Sequence, residues 1–271
     1  MKIIKLLLTT ALLSYFSSLA VANDGKELCE EGSNACTFVL LSEAKNGNTS
    51  KVNSINKNRA NKALSPFSTF KVTNSLIALD LGLIKNTEQE LFFDKSTYPV
   101  QPWWPSVWKL PHYDLSTAFK FSMVAIYRQL ATDIGKQNML NYLDRMQYGN
   151  QDISSGLDSF WLNGSMKISA VEQVNFLKNI YHNNFALNGK AVDNLKSVML
   201  AETNPNYRLY AKTGAGKTDN KTMLGWYIGF VENSAGVHFF AFNFDSASYG
   251  EMKAKRVKLA KNHLRQAGII E

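Results

Sequence analysis

Residues 65–83 read "SPFSTFKVTNSLIALDLGL", placing Ser68 three residues before Lys71 and setting both among Phe67, Phe70, Val72, Leu76 and Leu79. A serine hydroxyl becomes a nucleophile when a base within hydrogen-bond reach takes its proton, and on a helix positions i and i+3 share one face. The spacing alone is common, for Ser42 and Lys45, Ser54 and Lys57, and Ser106 and Lys109 repeat it. Ser42 and Ser54 lie on segments read as strands, where i and i+3 point to opposite faces. Ser106 lies in a Pro-rich connection with Trp103, Trp104 and Trp108. Only Ser68 opens a helix, expected over about 68–81 as a strongly amphipathic one that stops at Gly82. There the positive end of the helix dipole favours an oxyanion formed beside the hydroxyl. On this stretch alone a second reading stays open: Ser68 as a plain N-cap and Lys71 as a first-turn surface lysine.

The elements that must position these groups follow from pattern. "CTFVLLSEAKNGNTSKVNSINK" reads as a strand, an Asn46-Gly47 turn and a weaker second strand. Helices are expected near 117–132 and 136–147, and "SAVEQVNFLKNIYH" begins another, with Ser169 and Glu172 in capping-box spacing. From about residue 206, "NYRLYAKTGAG", "TMLGWYIGFVEN" and "GVHFFAFNFDS" are three consecutive antiparallel strands, followed by a C-terminal helix. Strands at both ends with helices between them predict an α/β chain of α+β type. Its central antiparallel sheet is built from the N- and C-terminal segments and flanked by helices, with a mainly helical subdomain over about 84–200.

The chain of 271 residues opens with two lysines, an apolar run and Ala20-Val21-Ala22, which reads as a secretory signal peptide over residues 1–22, leaving 23–271 as one domain. No later run reaches membrane-spanning length, so no stable membrane anchor is expected. Removing Lys2 and Lys5 lowers the formal charge from +8 to +6. Nucleic-acid binding is not expected, because the basic residues are dense only in "EMKAKRVKLAKNHLRQAG". The stripe Val257, Ala260, Leu264 and Ala267 makes that segment a helix with a solvated basic face. The two cysteines, Cys29 and Cys36, are expected to pair if the chain is exported. The four histidines have no ligand-like spacing, so no metal site is expected.

At four places the wording resembles that of class D serine β-lactamases, the oxacillinase family. "STFK" at Ser68 to Lys71 looks like the nucleophile motif, "SMV" at Ser122 to Val124 like the S-x-V element, "YGN" at Tyr148 to Asn150 matches, and "KTG" at Lys212 to Gly214 follows on the first late strand. "KFSMVAIYRQLA", "GLDSFWL", "KISAVEQVNFL" and "GWYIGFVE" are similar to family wording as well, so the likeness spans nearly the whole chain after residue 22. Taken singly, Trp161 could be core, Ser122 a helix cap and YGN an ordinary turn.

The resemblance implies the serine β-lactamase and penicillin-binding-protein fold, and hydrolysis of β-lactam amides through an acyl-enzyme on Ser68. It implies that CO₂ carboxylates Lys71, which then acts as general base in both acylation and deacylation, with no other cofactor. Trp161 would hydrogen-bond that group while Val124 and Leu162 enclose it. Ser122 would relay a proton toward the lactam nitrogen; Lys212, Thr213 and Gly214 would line the opposite wall, the first two meeting the substrate carboxylate. The backbone N–H groups of Ser68 and Ala215 would form the oxyanion hole. Burial agrees with the lysine's role, since only a neutral amine reacts with CO₂ and apolar surroundings disfavour the ammonium. One departure concerns the arginine that follows the last strand in many family members and binds the substrate carboxylate: here "KAKRVK" puts Lys255 at that place by counting, but only its neighbour Arg256 offers a bidentate fork, so Arg256 is expected in that role. The expected partner is a small-molecule β-lactam, the expected place the periplasm or the medium, and the expected state a monomer or homodimer. The rival reading is a penicillin-recognising sensor or transpeptidase-like domain that acylates without turnover; such sensors need a membrane anchor and a signalling region.

Overall fold

The structure, a computed structural model, describes residues 29–45, 47–48, 52–218 and 221–271. The reading of residues 1–22, and Asn46 of the expected turn, lie outside the described residues. In chain order the elements are β1 (Cys36–Ala44), β2 (Asn53–Ser54), α1 (Lys57–Ala60), a 3-10 turn (Phe67–Phe70) running into α2 (Lys71–Asp80), and a second 3-10 turn (Ser106–Trp108). There follow α3 (Leu115–Lys120), α4 (Val124–Ile134), α5 (Lys136–Met146), α6 (Phe160–Asn163), α7 (Ala170–Tyr181), α8 (Gly189–Met199), β3 (Leu200–Thr203), β4 (Tyr207–Lys217), β5 (Met223–Asn233), β6 (Gly236–Ser246) and α9 (Tyr249–Gln266).

All six strands join one antiparallel sheet in the order β2-β1-β6-β5-β4-β3. β1 pairs along its whole length with β6, from Cys36 opposite Phe244 to Ala44 opposite Gly236, so the sheet is assembled from the two ends of the chain as expected. The period-2 pattern of the strands sorts the core. Leu224, Trp226, Ile228 and Phe230 of β5, with Val237, Phe239 and Ala241 of β6, face the large cluster that holds α2, α4, α7 and α8. Tyr227, Val231, Phe240, Phe242 and Phe244 face a smaller cluster under α9. The short β3 carried no alternation to betray it; Leu200 and Ala201 are both exposed.

Three helices depart from expectation. The segment after Ser68 is a 3-10 turn followed by an α-helix, and α2 has no solvent face: every residue from Lys71 to Leu79 is buried, so it is a central helix rather than an amphipathic one. The helix expected over 117–132 is two, because the chain leaves α3 in a Schellman motif. Ser122 takes φ 58°, its N–H donates to Phe119 O (3.1 Å), and the Met123 N–H donates to Ala118 O (2.9 Å). The indole N–H of Trp108 fixes the exit by donating to Phe121 O at 2.7 Å. No glycine or proline marks this break. On α9 the buried face comprises Met252, Leu259, Ala260, Asn262, His263 and Leu264, while Ala267 of the expected stripe is exposed just past the last turn. The capping box opening α7 is present: Glu172 N–H donates to Ser169 Oγ, and Ser169 N–H to Glu172 Oε2 at 2.7 Å. Among the described residues no helix is long and apolar enough to cross a membrane.

Cys29 and Cys36 form a disulfide. The loop it closes is pinned to α9 by the Cys29 N–H donating to His263 Nε2 (2.9 Å), and to the segment before α1 by Asn56 Nδ2 donating to the Glu30 and Cys36 carbonyls, each at 2.9 Å. Closing so short a loop restricts the unfolded chain by about 2 to 3 kcal/mol. Reduction, verified by a mass gain of two hydrogens, is expected to lower the thermal midpoint by about 5 to 10 °C while catalysis below that temperature persists.

Candidate active site

Ser68 sits on a turn held from three directions. Pro66 O accepts from both Thr69 N–H (3.1 Å) and Thr69 Oγ1 (2.8 Å), and Gln173 of α7 donates to that hydroxyl at 3.0 Å. The indole of Trp226 on β5 donates to Ser65 O (3.0 Å), and Lys167 Nζ donates to Ser65 Oγ (2.8 Å). Between these anchors Phe67 takes φ 48°, a left-handed conformation that costs a bulky residue on the order of 1 to 3 kcal/mol. The strained residue immediately precedes the nucleophile. β4 can lie against the turn because Gly214 and Gly216 turn empty positions toward it. A Cβ on Gly214 would stand 2.9 Å from Pro66 O, and one on Gly216 would stand 1.9 Å from the Phe67 ring.

Lys71 is wholly buried, yet its Nζ lies 3.0 Å from Ser68 Oγ, as the spacing predicts. Burial pushes this lysine down to about 7, which corresponds to roughly 5 kcal/mol against the ammonium. The first-turn surface lysine of the alternative reading is thereby excluded. Trp161 on α6 is buried and stacks on Phe70, with centroids 5.3 Å apart at 22°, and its Nε1–H has no hydrogen-bond partner among the described residues. An unpaired buried donor costs about 1 to 3 kcal/mol, so this wall of the site is built for an acceptor. Val124 opens α4 and Leu162 lies next to Trp161; both are partly buried.

Facing them, Lys212 on β4 donates to Ser122 Oγ (2.7 Å) and to its neighbour's carbonyl, Thr213 O (3.0 Å). Burial holds Lys212 well below the ordinary lysine range, and the charges of Lys71 and Arg256 push the same way. The left-handed step at Ser122 is what lifts its hydroxyl off the helix line toward β4. Thr213, Gly214 and Ala215 follow on a stretch of β4 that extends beyond the pairing with β3, which ends at Tyr210, so this edge has no strand partner among the described residues. Edge N–H groups here, Ala215 included, are available to a ligand. Arg256 of α9 reaches the same stretch, its Nη1 donating to Gly214 O (3.1 Å), while Lys255 pairs with Glu251 at 3.1 Å. Of the two cations, then, Arg256 is the one turned to the site. Burial lowers Arg256 from its usual range, and its Nε has no hydrogen-bond partner among the described residues.

The YGN element supports the Ser68 turn and the loop that carries Trp161. Tyr148 packs edge-on against Phe70 (5.5 Å), and Asn150 staples the chain by donating to Ser165 O (2.8 Å) and accepting from Lys167 N–H (2.9 Å), closing the loop that carries Trp161. Two groups at the site were missed in sequence. The Tyr127 ring centroid lies 5.0 Å from Lys71 Nζ, and that of Phe119 lies 5.5 Å from Lys212 Nζ. Their signal was weak, since an aromatic residue on a helix ordinarily reads as core.

Residues 37–265 match the family described as the penicillin-binding-protein transpeptidase domain, the class that a serine and lysine on such a turn beside an antiparallel sheet define. Within it the match narrows. The chain is 40% identical over 215 residues to β-lactamase OXA-48 of Klebsiella pneumoniae, covering 79% of this chain and 78% of that protein. The structure superposes on that of FUS-1 (OXA-85), a class D β-lactamase from Fusobacterium nucleatum subsp. polymorphum, with a TM-score of 0.78 and 30% identity, covering 87% of this chain and 93% of that one. A methicillin-resistance MecR1 protein of Staphylococcus aureus is 32% identical over 186 residues, but the match covers 31% of that protein. The chain belongs to the class D β-lactamases.

The glycine at 216 offers a direct test of the fit between strand and turn. Gly216→Ala is expected to displace Phe67 and slow covalent labelling of Ser68 by an acylating probe about a hundredfold. Intact mass reads the labelling, and an unchanged circular dichroism spectrum shows that the fold persists.

Proposed function

We propose that the chain hydrolyses β-lactam amides, with Ser68 as the nucleophile that carries the acyl group. The observation that carries the reading is the buried Lys71 Nζ at 3.0 Å from Ser68 Oγ, on a turn whose Phe70 stacks on an indole donor with no partner among the described residues. An amine pushed down to about 7 is substantially neutral at physiological pH and open to CO₂. The resulting anion needs a donor, which Trp161 offers; the residues present therefore fit a carboxylated Lys71. That group would supply the base that takes the Ser68 proton in acylation and activates water in deacylation.

The chain's own residues do the rest. Ser68 Oγ attacks the lactam carbonyl, and the N–H groups of Ser68 and Ala215 receive the oxyanion. As the C–N bond breaks, Ser122 passes a proton to the lactam nitrogen, fed by Lys212 to which it is bonded. Lys212, Thr213 and Arg256 bind the substrate carboxylate, drawing it onto the open edge of β4. Water then attacks the acyl carbonyl, the bond to Ser68 Oγ breaks, and the ring-opened acid leaves as Ser68 regains its proton.

The sensor reading predicts acylation without release. Identity of 40% to a β-lactamase over 78% of that protein supports the enzyme, as does an indole donor fitted to an anionic base. Processing of residues 1–22 and a place in the periplasm or medium accord with the disulfide. A chromogenic cephalosporin is expected to be hydrolysed over many turnovers, and Lys71→Ala to slow both acylation and deacylation; one stoichiometric burst followed by a stable acyl-enzyme in the unaltered protein assigns it to the sensors instead.

Burial lowers the Lys71 value, so the reactive amine dominates above about 7 and the inert ammonium below it. With dissolved CO₂ held constant, recovery of activity by CO₂-depleted enzyme should rise between pH 6 and pH 8 with a midpoint near 7. A flat profile would remove the neutral amine from the mechanism.

A further inference from the structure

Among the described residues Lys71 Nζ has a hydrogen bond to Ser68 Oγ and no ion pair, while burial works against its charge. Beside the Ser68 hydroxyl, the face of Tyr127 favours the ammonium, Nζ lying over it at 5.0 Å from the centroid. An aromatic face attracts a cation and repels an anion, most strongly where water is absent, and Tyr127 is wholly buried. The ring is also locked in place from the helix that carries Lys71. Its hydroxyl shares a hydrogen bond with Ser75 Oγ (2.9 Å), and its carbonyl accepts from Asn74 Nδ2 (3.0 Å). Asn74 and Ser75 lie three and four residues after Lys71, one turn along the same face of α2. Ring and amine are therefore held together by one rigid unit.

We propose that Tyr127 is a positioning residue for Lys71 whose ring face favours the ammonium over the carboxylated form, and so sets the dissolved CO₂ concentration at which the lysine becomes carboxylated. The inference rests on carboxylation of Lys71. In that step the ammonium first loses a proton to solvent. The nitrogen lone pair then bonds to the carbon of CO₂, one C–O π pair becomes the carboxylate, and a second N–H proton leaves. Cation is exchanged for anion in front of the same ring, so the ring opposes the exchange at both ends. The site thus holds two opposed preferences, an indole N–H that calls for an anion and a phenol face that calls for a cation. Their balance places the CO₂ threshold.

Fluorinated phenylalanines at position 127 test this, because each fluorine weakens the negative face of the ring while its volume hardly changes. Full-length enzyme carrying Tyr127→Phe, then Phe with one, three and five ring fluorines, is equilibrated with ¹³C-bicarbonate at fixed pH. The carboxylated-lysine signal is read by ¹³C NMR, with thermal unfolding as the check on folding. Tyr127→Phe loses the Ser75 bond but keeps the face, and its half-saturating concentration should stay near that of the unaltered enzyme. Along the fluorinated series that concentration should fall stepwise, by roughly tenfold overall. A half-saturation unmoved by fluorination, or one that rises, overturns the role of the ring while leaving carboxylation intact. Absence of the signal from the unaltered enzyme at every bicarbonate concentration overturns both.

Discussion

Keeping the Lys71 nitrogen out of water stands against the usual placement of an ammonium by roughly 5 kcal/mol, and much of the fold exists to sustain it. α2 is buried on every side, so its polar residues Thr73, Asn74 and Ser75 go inside with the lysine. Phe70, Trp161 and Tyr127 close around the site with flat apolar surface that admits no bulk water. The lysine keeps a hydroxyl for a neighbour instead of a carboxylate, and this leaves the amine basic enough to matter and neutral enough to react.

The second requirement is proximity between a helix turn and a strand edge. Two glycines on β4 and a strained Phe67 allow the turn to approach the backbone of β4 more closely than side chains would permit. Trp226, Gln173 and Lys167 reach the turn from separate elements and resist its relaxation. Ser122 meets Lys212 only because α3 stops short in a left-handed step, so a local irregularity supplies what a continuous helix would have pointed elsewhere.

Much of this was legible in the chain. The three late strands, the capped α7 and the pairing of the two ends of the sheet follow from alternation and caps, which are local signals. The proximity of Ser68 and Lys71 followed from spacing, and the burial of Lys71 from its neighbours in sequence. The break at Ser122 was not legible, because a Schellman turn without glycine has no compositional mark, and β3 was hidden because an exposed edge strand need not alternate. The choice between Lys255 and Arg256 depended on the rotation of α9, which places Arg256 against Gly214 and Lys255 beside Glu251. Tyr127 escaped because its role depends on which buried ring a buried nitrogen faces, and no sequence period carries that.

The pairing of β1 with β6 has a consequence for the life of the chain before it is an enzyme. Cys36 must find Phe244, and Ala44 must find Gly236, across almost the whole polypeptide. The ordering entropy of so long a loop is met before any of its contacts form. Until β6 has been made, β1 lacks the strand against which it lies. Completion of the sheet therefore waits for β6, long after the Ser68 and Lys71 turn has been made.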